Sequence, residues 1–129
     1  MRRNGFTLVE LMAVITILVI LSLIIVPIVD KNVKRSKDDM YSIQIENIRM
    51  SGMGYFSDNI DKRPREGAYC SISLDTLINE DYMSDDVVNP KNGLSFDNLF
   101  VQIFNNNGKY NYLVCPIESG CEDTIVNCM

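Results

Sequence analysis

Four cysteines are the residues of this 129-residue chain whose chemistry is easiest to foresee: Cys70, Cys115, Cys121 and Cys128. Four cysteines allow three disulfide pairings, and the sequence leaves all three open. Five and six residues separate the last three cysteines, so they lack the closely spaced pair that is typical of a zinc site. We therefore predict disulfides, which in so small a domain indicate an oxidising, extracytoplasmic location.

The sequence contains no histidine, which weakens every enzymatic hypothesis. Histidine is the side chain best suited to proton transfer near neutral pH and the commonest metal ligand, and without it the thiols lack their usual activating base. Asp81, Asp85 and Asp86 do not match the calcium-loop pattern with its glycine and terminal glutamate. We predict no catalytic residue, no cofactor and no metal.

The charge distribution argues against nucleic acid as a partner. The formal net charge is −5, and from Asp58 onward five Lys or Arg face twelve Asp or Glu. An acidic surface repels phosphate backbones and cannot release their counterions. The distal part of the chain is therefore predicted to be solvated and not to bind DNA or RNA.

Glu10 is the only charged residue between Phe6 and Val29. A carboxylate inside an apolar helix costs about 2.5–3.5 kcal/mol at the middle of a bilayer and somewhat less near its edge, so such residues are functional and need a partner. The competing interpretation is a first-turn acidic residue that favours the positive end of the helix macrodipole.

The apolar run that contains Glu10 predicts a single membrane-spanning helix. Leu11 to Val29 is 19 residues without a charge, and at 1.5 Å per residue it spans roughly the 30 Å of a hydrocarbon core. No small-residue cleavage site follows the run, so it is not predicted to be a secretory signal peptide. Pro27 near its end is expected to bend or loosen the helix.

The helical pattern continues past the apolar run as an amphipathic segment. Apolar residues recur at spacings of three, four and seven, which predicts one helix from about Phe6 to about Phe56. Lys31, Lys34, Arg35 and Lys37 follow the apolar run closely.

The remainder predicts a small antiparallel sheet with one short helix. A loop is expected from Asp58 to Gly67, a helix from Leu74 to Asn79 capped by Ser73, and a turn from Asn89 to Gly93. The alternating runs 100–104 and 109–114 flank Asn105-Asn106-Asn107-Gly108 and predict a β-hairpin. The fold class is α+β, with a long N-terminal membrane-spanning helix packed by its distal half on this sheet.

The sequence Gly5-Phe6-Thr7-Leu8-Val9-Glu10, between a basic leader and a membrane helix, resembles the processing site of type IV prepilins and pseudopilins. Pro27 falls where many members carry a helix-loosening proline. The resemblance implies a pilin-like fold with a leader peptide at 1–5 and a transmembrane, filament-core helix at 6–29. An amphipathic continuation at 30–57 and a globular head at 58–129 would follow.

The resemblance also implies a mechanism. A prepilin peptidase would cut between Gly5 and Phe6 on the cytoplasmic side and N-methylate Phe6. Glu10 would then pair with the Phe6 amine of a neighbouring subunit in a type IV pilus-like filament. Many pilins close a C-terminal loop with a disulfide, which implies Cys115 or Cys121 with Cys128.

The implied partners are other pilin subunits, the cytoplasmic membrane and the pilus assembly machinery, with the chain first membrane-anchored and then in an extracellular or cell-surface filament. Four Lys or Arg after the helix against two before it run contrary to the positive-inside tendency. Two alternatives stay open: a type II secretion pseudopilin, and a single-pass anchored binding domain that retains its leader.

Overall fold

The structure is a computed structural model that describes residues 4–128; residues 1–3 of the predicted leader and Met129 lie outside the described part. The described residues form two compact units, which divide between Lys37 and Asp38 and are called here the proximal and distal units. The elements in order are α1 (Leu8–Asp58), a 3₁₀ turn (Ile60–Lys62), β1 (Tyr69–Ser73), α2 (Leu74–Asn79), β2 (Phe100–Asn106) and β3 (Lys109–Cys115). This confirms the predicted α+β, pilin-like fold class.

Helix α1 is 51 residues long and contains Pro27. Proline has no N–H, so the carbonyl of Leu23 lacks its usual helical donor, yet the helix continues through this position. Isoleucine and valine, which are only moderate helix formers in water, dominate the run before Pro27. Within a bilayer a helix satisfies every backbone group internally, which favours this conformation whatever the propensity.

The predicted hairpin is confirmed, with slightly longer strands. Strands β2 and β3 pair antiparallel, and the ladder closes at Asn106 opposite Lys109. Asn107 and Gly108 both have positive φ, at 52° and 80°. Positive φ at both central residues is the requirement of a two-residue type I′ turn, and asparagine followed by glycine meets it at low steric cost.

Strand β1 falls just after the predicted loop and was not foreseen as a strand. It pairs antiparallel with β2, from Tyr69 opposite Phe104 to Ser73 opposite Phe100, which gives the sheet order β1-β2-β3. Ser71 is buried along with its two neighbours, so the strand lacks the alternation that usually marks a half-exposed strand.

The short helix and the turn follow the predicted local chemistry. Ser73 caps α2 by accepting a hydrogen bond from the Thr76 N–H at 3.2 Å, and α2 has the predicted bounds. In the turn after it, the Gly93 N–H donates to the Asn89 carbonyl at 2.7 Å, and Gly93 has a φ of 71°.

The distal unit is built on contact between the second half of α1 and the sheet. Buried α1 residues join buried residues of all three strands in one core: Ile45, Ile48, Tyr55 and Phe56 with Ile72, Val101, Ile103 and Val114. Gly52 lies where the helix is closest to β2, since a Cβ there would stand 2.6 Å from Val101 Cγ1. The predicted packing of the distal half of the helix on the sheet is thus confirmed.

The four cysteines form two disulfides, Cys70–Cys128 and Cys115–Cys121. The pairing implied by the family resemblance, Cys115 or Cys121 with Cys128, is wrong. The C-terminal tail runs parallel beside β1, where the Ser71 N–H donates to the Val126 carbonyl at 2.6 Å and the Cys128 N–H donates to the Ser71 carbonyl at 3.3 Å. This register places Cys128 next to Cys70, with their Cα atoms 5.0 Å apart.

Candidate processing and assembly site

The segment before α1 is accessible. Residues 4–7 are non-helical and exposed, and a Cβ built on Gly5 would have no atom within 4 Å. The Phe6 side chain is 87% exposed. Exposed irregular segments are where proteases bind a backbone most readily, so the predicted cleavage position has a suitable local structure.

Thr7 fixes the start of α1, a role that was not predicted from the sequence. The Glu10 N–H donates to Thr7 Oγ1 at 3.3 Å, and the Leu11 N–H donates to the Thr7 carbonyl at 3.1 Å. A side-chain oxygen that accepts from a first-turn N–H defines an N-cap. The signal was present, because Thr7-Leu8-Val9-Glu10 matches the capping-box pattern of Ser or Thr followed three residues later by Glu or Gln.

The Glu10 carboxylate is available to a partner outside its own chain. Its side chain is exposed in the first turn of α1, and among residues 4–128 it takes part in no salt bridge. The helix dipole favours a negative charge at this end but leaves the carboxylate oxygens free to accept hydrogen bonds. The arrangement can therefore bind a cation, such as an amino terminus, that approaches from another molecule.

The apolar side chains around Glu10 are exposed along the whole run. From Phe6 to Val29 every large hydrophobic side chain is at least 48% exposed. Within the described residues, one helix, α1, is long and apolar enough to cross a membrane. A continuous apolar surface of this extent is uncommon on soluble monomers and marks contact with lipid or protein.

Two hydroxyl groups in the apolar run are satisfied by the helix itself. Thr16 Oγ1 donates to the Met12 carbonyl at 2.7 Å, and Ser22 Oγ donates to the Leu18 carbonyl at 2.8 Å. Back-bonding of this kind allows Ser and Thr to face hydrocarbon at low cost. Glu10 is then the polar side chain of the run that still needs an external partner.

A cluster of four cations, called here the basic collar, follows the apolar run: Lys31, Lys34, Arg35 and Lys37. All four side chains are exposed, and none is within salt-bridge distance of an acidic group in the described part of the chain. The next carboxylate along the helix is engaged elsewhere, because Asp38 Oδ1 lies 3.1 Å from Lys91 Nζ.

The C-terminal end of α1 is held by a polar network in the distal unit. The Tyr82 hydroxyl donates to Asp58 Oδ2 at 2.9 Å, which raises the pKa of Tyr82. Lys62 Nζ donates to the Tyr55 hydroxyl at 2.7 Å, which raises the pKa of Lys62. Both pKa values move further from neutrality, so neither group is tuned for proton transfer at physiological pH.

A partly buried ion pair joins α1 to the loop after β3. Arg49 pairs with Glu118, whose other carboxylate oxygen accepts the Val114 N–H at 2.6 Å. Arg49 also pairs with Glu46 one turn earlier in α1. The sequence does not indicate the pair of Arg49 with Glu118, since the two residues are far apart in the chain.

The acidic residues after α2 do not assemble into a metal site. Asp81, Asp85 and Asp86 are exposed, and across residues 4–128 no three side chains of the metal-binding types converge. Both sulfur atoms of each disulfide are bonded to each other, so the cysteines offer no thiolate ligand.

The fold and this site define a class of protein: a helix-led chain with an apolar segment long enough to cross a membrane, an accessible stretch before it and a small disulfide-bonded α+β unit. Within that class, a family model described as the prokaryotic N-terminal methylation motif matches residues 1–26. This motif is the signature of type IV pilin and pseudopilin prepilins, so the resemblance found in the sequence is confirmed. No curated protein and no solved structure matches the chain significantly.

The matched residues include the predicted leader, the Gly5 and Phe6 junction, Glu10 and most of the apolar run. Proteins that carry this signature are pilin-type structural subunits, which are processed by a prepilin peptidase and assemble with other subunits. The motif and the long apolar helix together fit membrane anchoring.

Proposed function

We propose that this protein is a prepilin that is cut between Gly5 and Phe6, N-methylated at Phe6 and assembled into a type IV pilus-like filament. The observation that carries the proposal is the methylation motif at residues 1–26. The exposed segment at residues 4–7 and the unpaired first-turn Glu10 support it.

The cut depends on Gly5 and on the segment around it. Without a Cβ, glycine lets the peptidase draw the backbone close and extended. Cleavage converts Phe6 into a positively charged amino terminus, four residues before Glu10 in the sequence. The same event thus removes the basic leader and creates the cation that assembly requires.

Glu10 would pair with the Phe6 amine of a neighbouring subunit and set the axial register of the two helices. A buried ion pair of this kind adds little net stability, because desolvation of both charges offsets their attraction. Loss of one partner is expensive, however, since it leaves the other charge buried alone. The pair would therefore select one register from the many that apolar surfaces permit.

The exposed apolar surface of α1 would contact lipid first and other subunits later. Residues 6–29 would face lipid while the subunit is in the membrane and the helices of other subunits in the filament core. Residues 30–57 would carry the helix out of the core, and residues 58–129 would form the globular head. Pro27 would loosen the helix near the boundary between the first two segments.

The proposed partners are the prepilin peptidase, other pilin subunits of the same or different kind, the cytoplasmic membrane and the pilus assembly machinery. The leader would stay inside while the head lies outside, first anchored and then in an extracellular or cell-surface filament. We favour a pilin over a secretion pseudopilin because the small acidic head carries two disulfides.

Filament recovery tests this proposal. Cells that express the chain with a prepilin peptidase and assembly machinery are sheared, and the filament fraction is probed for the protein. The wild-type chain is expected in that fraction, whereas Gly5→Leu is expected to stay uncut in the membrane because its side chain obstructs the peptidase.

Asn4→Leu is the matched control, since it adds the same side chain one position earlier in the same exposed segment. Asn4→Leu should still be cut and recovered in filaments. A Gly5→Leu chain that is cut and assembled like the wild type would contradict the proposed site, and a wild-type chain that never enters filaments would contradict the proposed function.

A further inference from the structure

Among residues 4–128, no acidic side chain forms a salt bridge with the basic collar. Four cations fall between Lys31 and Lys37 with no acidic residue among them, and all are exposed and unpaired within the described residues. We propose that the basic collar binds anionic phospholipid headgroups of the membrane that α1 spans. The proposal rests on the membrane-spanning part of the proposed function and on nothing in filament assembly.

The position of the collar along α1 matches the depth of the headgroups. The uncharged run ends at Val29 and fills the hydrocarbon core of about 30 Å, so Lys31 lies just beyond the hydrocarbon boundary. From Lys31 to Lys37 the helix rises about 9 Å. The polar region on each side of a bilayer is about 5–8 Å deep, so the collar covers that region and little more.

Three of the four collar cations lie on the same face of α1. Lys31, Lys34 and Arg35 stand at positions i, i+3 and i+4, which share one side of a helix. Long lysine and arginine stems can lie along apolar surface while their charged ends reach the phosphates. The guanidinium of Arg35 can donate two parallel hydrogen bonds to one phosphate group.

The acidic residues near the collar stand at its borders. Asp30 precedes it, and Asp38 and Asp39 follow it on the side away from the bilayer. Asp38 is paired with Lys91, so it does not neutralise the collar. Asp30 and Asp39 are exposed and leave the four intervening cations with a net positive charge.

An anionic lipid partner explains why four Lys or Arg follow the membrane helix while only two precede it. With the leader on the cytoplasmic side, the collar would face the outer leaflet, which the positive-inside tendency disfavours. Anionic headgroups would supply the countercharge there. Each cation near an anionic membrane surface raises the affinity for that surface about fivefold.

Lipid selectivity measured by electron paramagnetic resonance tests the proposal. The full chain is reconstituted in phosphatidylcholine vesicles that contain phosphatidylglycerol, and spin-labelled forms of the two lipids compete for the protein surface. The wild type is expected to prefer phosphatidylglycerol, and the preference should weaken as salt is raised.

The double variant Lys31→Gln with Lys34→Gln is expected to lose most of that preference. The matched control is Arg65→Gln with Lys109→Gln, which removes two exposed cations from the distal unit and should keep the wild-type value. Both variants retain Arg2 and Arg3, so any contribution of the leader is the same in each.

Equal selectivity in the collar variant and the wild type would overturn the proposal. Chemical cross-linking in pure phosphatidylcholine vesicles would then identify the alternative partner. If the collar variant keeps the wild-type selectivity and forms fewer cross-linked dimers, the collar binds an acidic surface of a second copy of the chain instead of lipid. Alkaline extraction distinguishes a failure of the collar proposal from a failure of the membrane-spanning helix. A chain that is extracted contradicts the membrane-spanning helix itself. A chain that stays inserted but shows no lipid preference contradicts the collar proposal alone.

Discussion

At the scale of single residues, the Glu10 carboxylate has two possible roles, because its position suits both the N-terminal end of a helix and an ion pair with another molecule. A dipole or capping role contributes about 0.3–1 kcal/mol to the helix and none to assembly. Pairing with a neighbouring amine makes the carboxylate necessary in the filament but irrelevant to the peptidase. The two roles therefore differ in what is lost when the side chain is removed.

We predict that Glu10→Ala is cut as efficiently as the wild type but assembles poorly, because the buried amine of the neighbour is left unpaired. Mature chain in the membrane and chain in sheared filaments are the two quantities to measure. Thr7→Ala is the control, since it removes the N-cap, worth about 1 kcal/mol, and leaves the Glu10 carboxylate in place. Glu10→Ala filaments in wild-type amounts would rule out the register role.

The site predictions at the N-terminus rest on a pattern that is local in the sequence. Gly5, Phe6 and Glu10 stand in one short motif, and Thr7 fits a capping pattern that spans four positions. Arg49 and Glu118 carry no such signal. Their ion pair exists only because the loop after β3 folds back on α1, and long-range contacts of this kind leave no periodicity in the sequence.

At the scale of elements, the fit of α1 against β2 depends on Gly52. In an exposed helix, glycine to alanine stabilises by about 1 kcal/mol through lower backbone entropy in the unfolded chain. At Gly52 the added methyl would overlap Val101, with its three nearest side-chain atoms at 2.6, 3.0 and 3.1 Å. Overpacking of a core costs about 1–3 kcal/mol, which outweighs the gain.

We predict that Gly52→Ala lowers the melting temperature of the distal unit, whereas Gly54→Ala raises it slightly. Gly54 is the matched control two residues along the same helix, where an added Cβ would lie 3.7 Å from Tyr82 Cδ1 in ordinary contact. All six tyrosines lie in the distal unit, so near-ultraviolet circular dichroism in detergent reports its unfolding. A Gly52→Ala protein as stable as Gly54→Ala would refute the close approach of α1 to β2.

The two disulfides are expected to contribute unequally. Cys70 and Cys128 are 58 residues apart and Cys115 and Cys121 six, so the chain-entropy model gives about 4 kcal/mol for the first and about 2 kcal/mol for the second. Replacing both cysteines of the first disulfide by alanine should lower the melting temperature further than the same change in the second.

Hydrogen exchange adds a local readout for the disulfides. Loss of the Cys70–Cys128 bond should speed exchange at the backbone amides of Ser71 and of position 128, which pair the tail with β1. The variant without Cys115–Cys121 should leave these two amides protected. Equal protection in both variants would show that the backbone bonds hold the tail without the disulfide.

Elements with strong local chemistry could be predicted, and those defined by tertiary pairing could not. The hairpin followed from its alternation and its Asn-Gly turn, and α2 followed from Ser73. Strand β1 has buried residues on both faces, so its sequence shows no alternation. The disulfide pairing depends on where the tail docks beside β1, which no spacing of cysteines reveals.

At the scale of the whole molecule, the chain has a small disulfide-bonded distal unit and a proximal helix whose apolar side chains are exposed among the described residues. Charged and polar contacts inside the distal unit, such as Arg49 with Glu118, stabilise that unit alone. The large apolar side chains from Phe6 to Val29 are exposed, and an apolar surface of this extent marks contact with lipid or with other protein. Processing at the N-terminus would decide which of these the helix meets.

The most direct test of this account is N-terminal mass spectrometry of the protein recovered from cells that also express a prepilin peptidase. We predict a mature chain that begins at Phe6, lacks residues 1–5 and carries one added methyl group on its terminal amine. A chain that still carries Met1 to Gly5 would contradict the account and would favour a single-pass anchored binding domain.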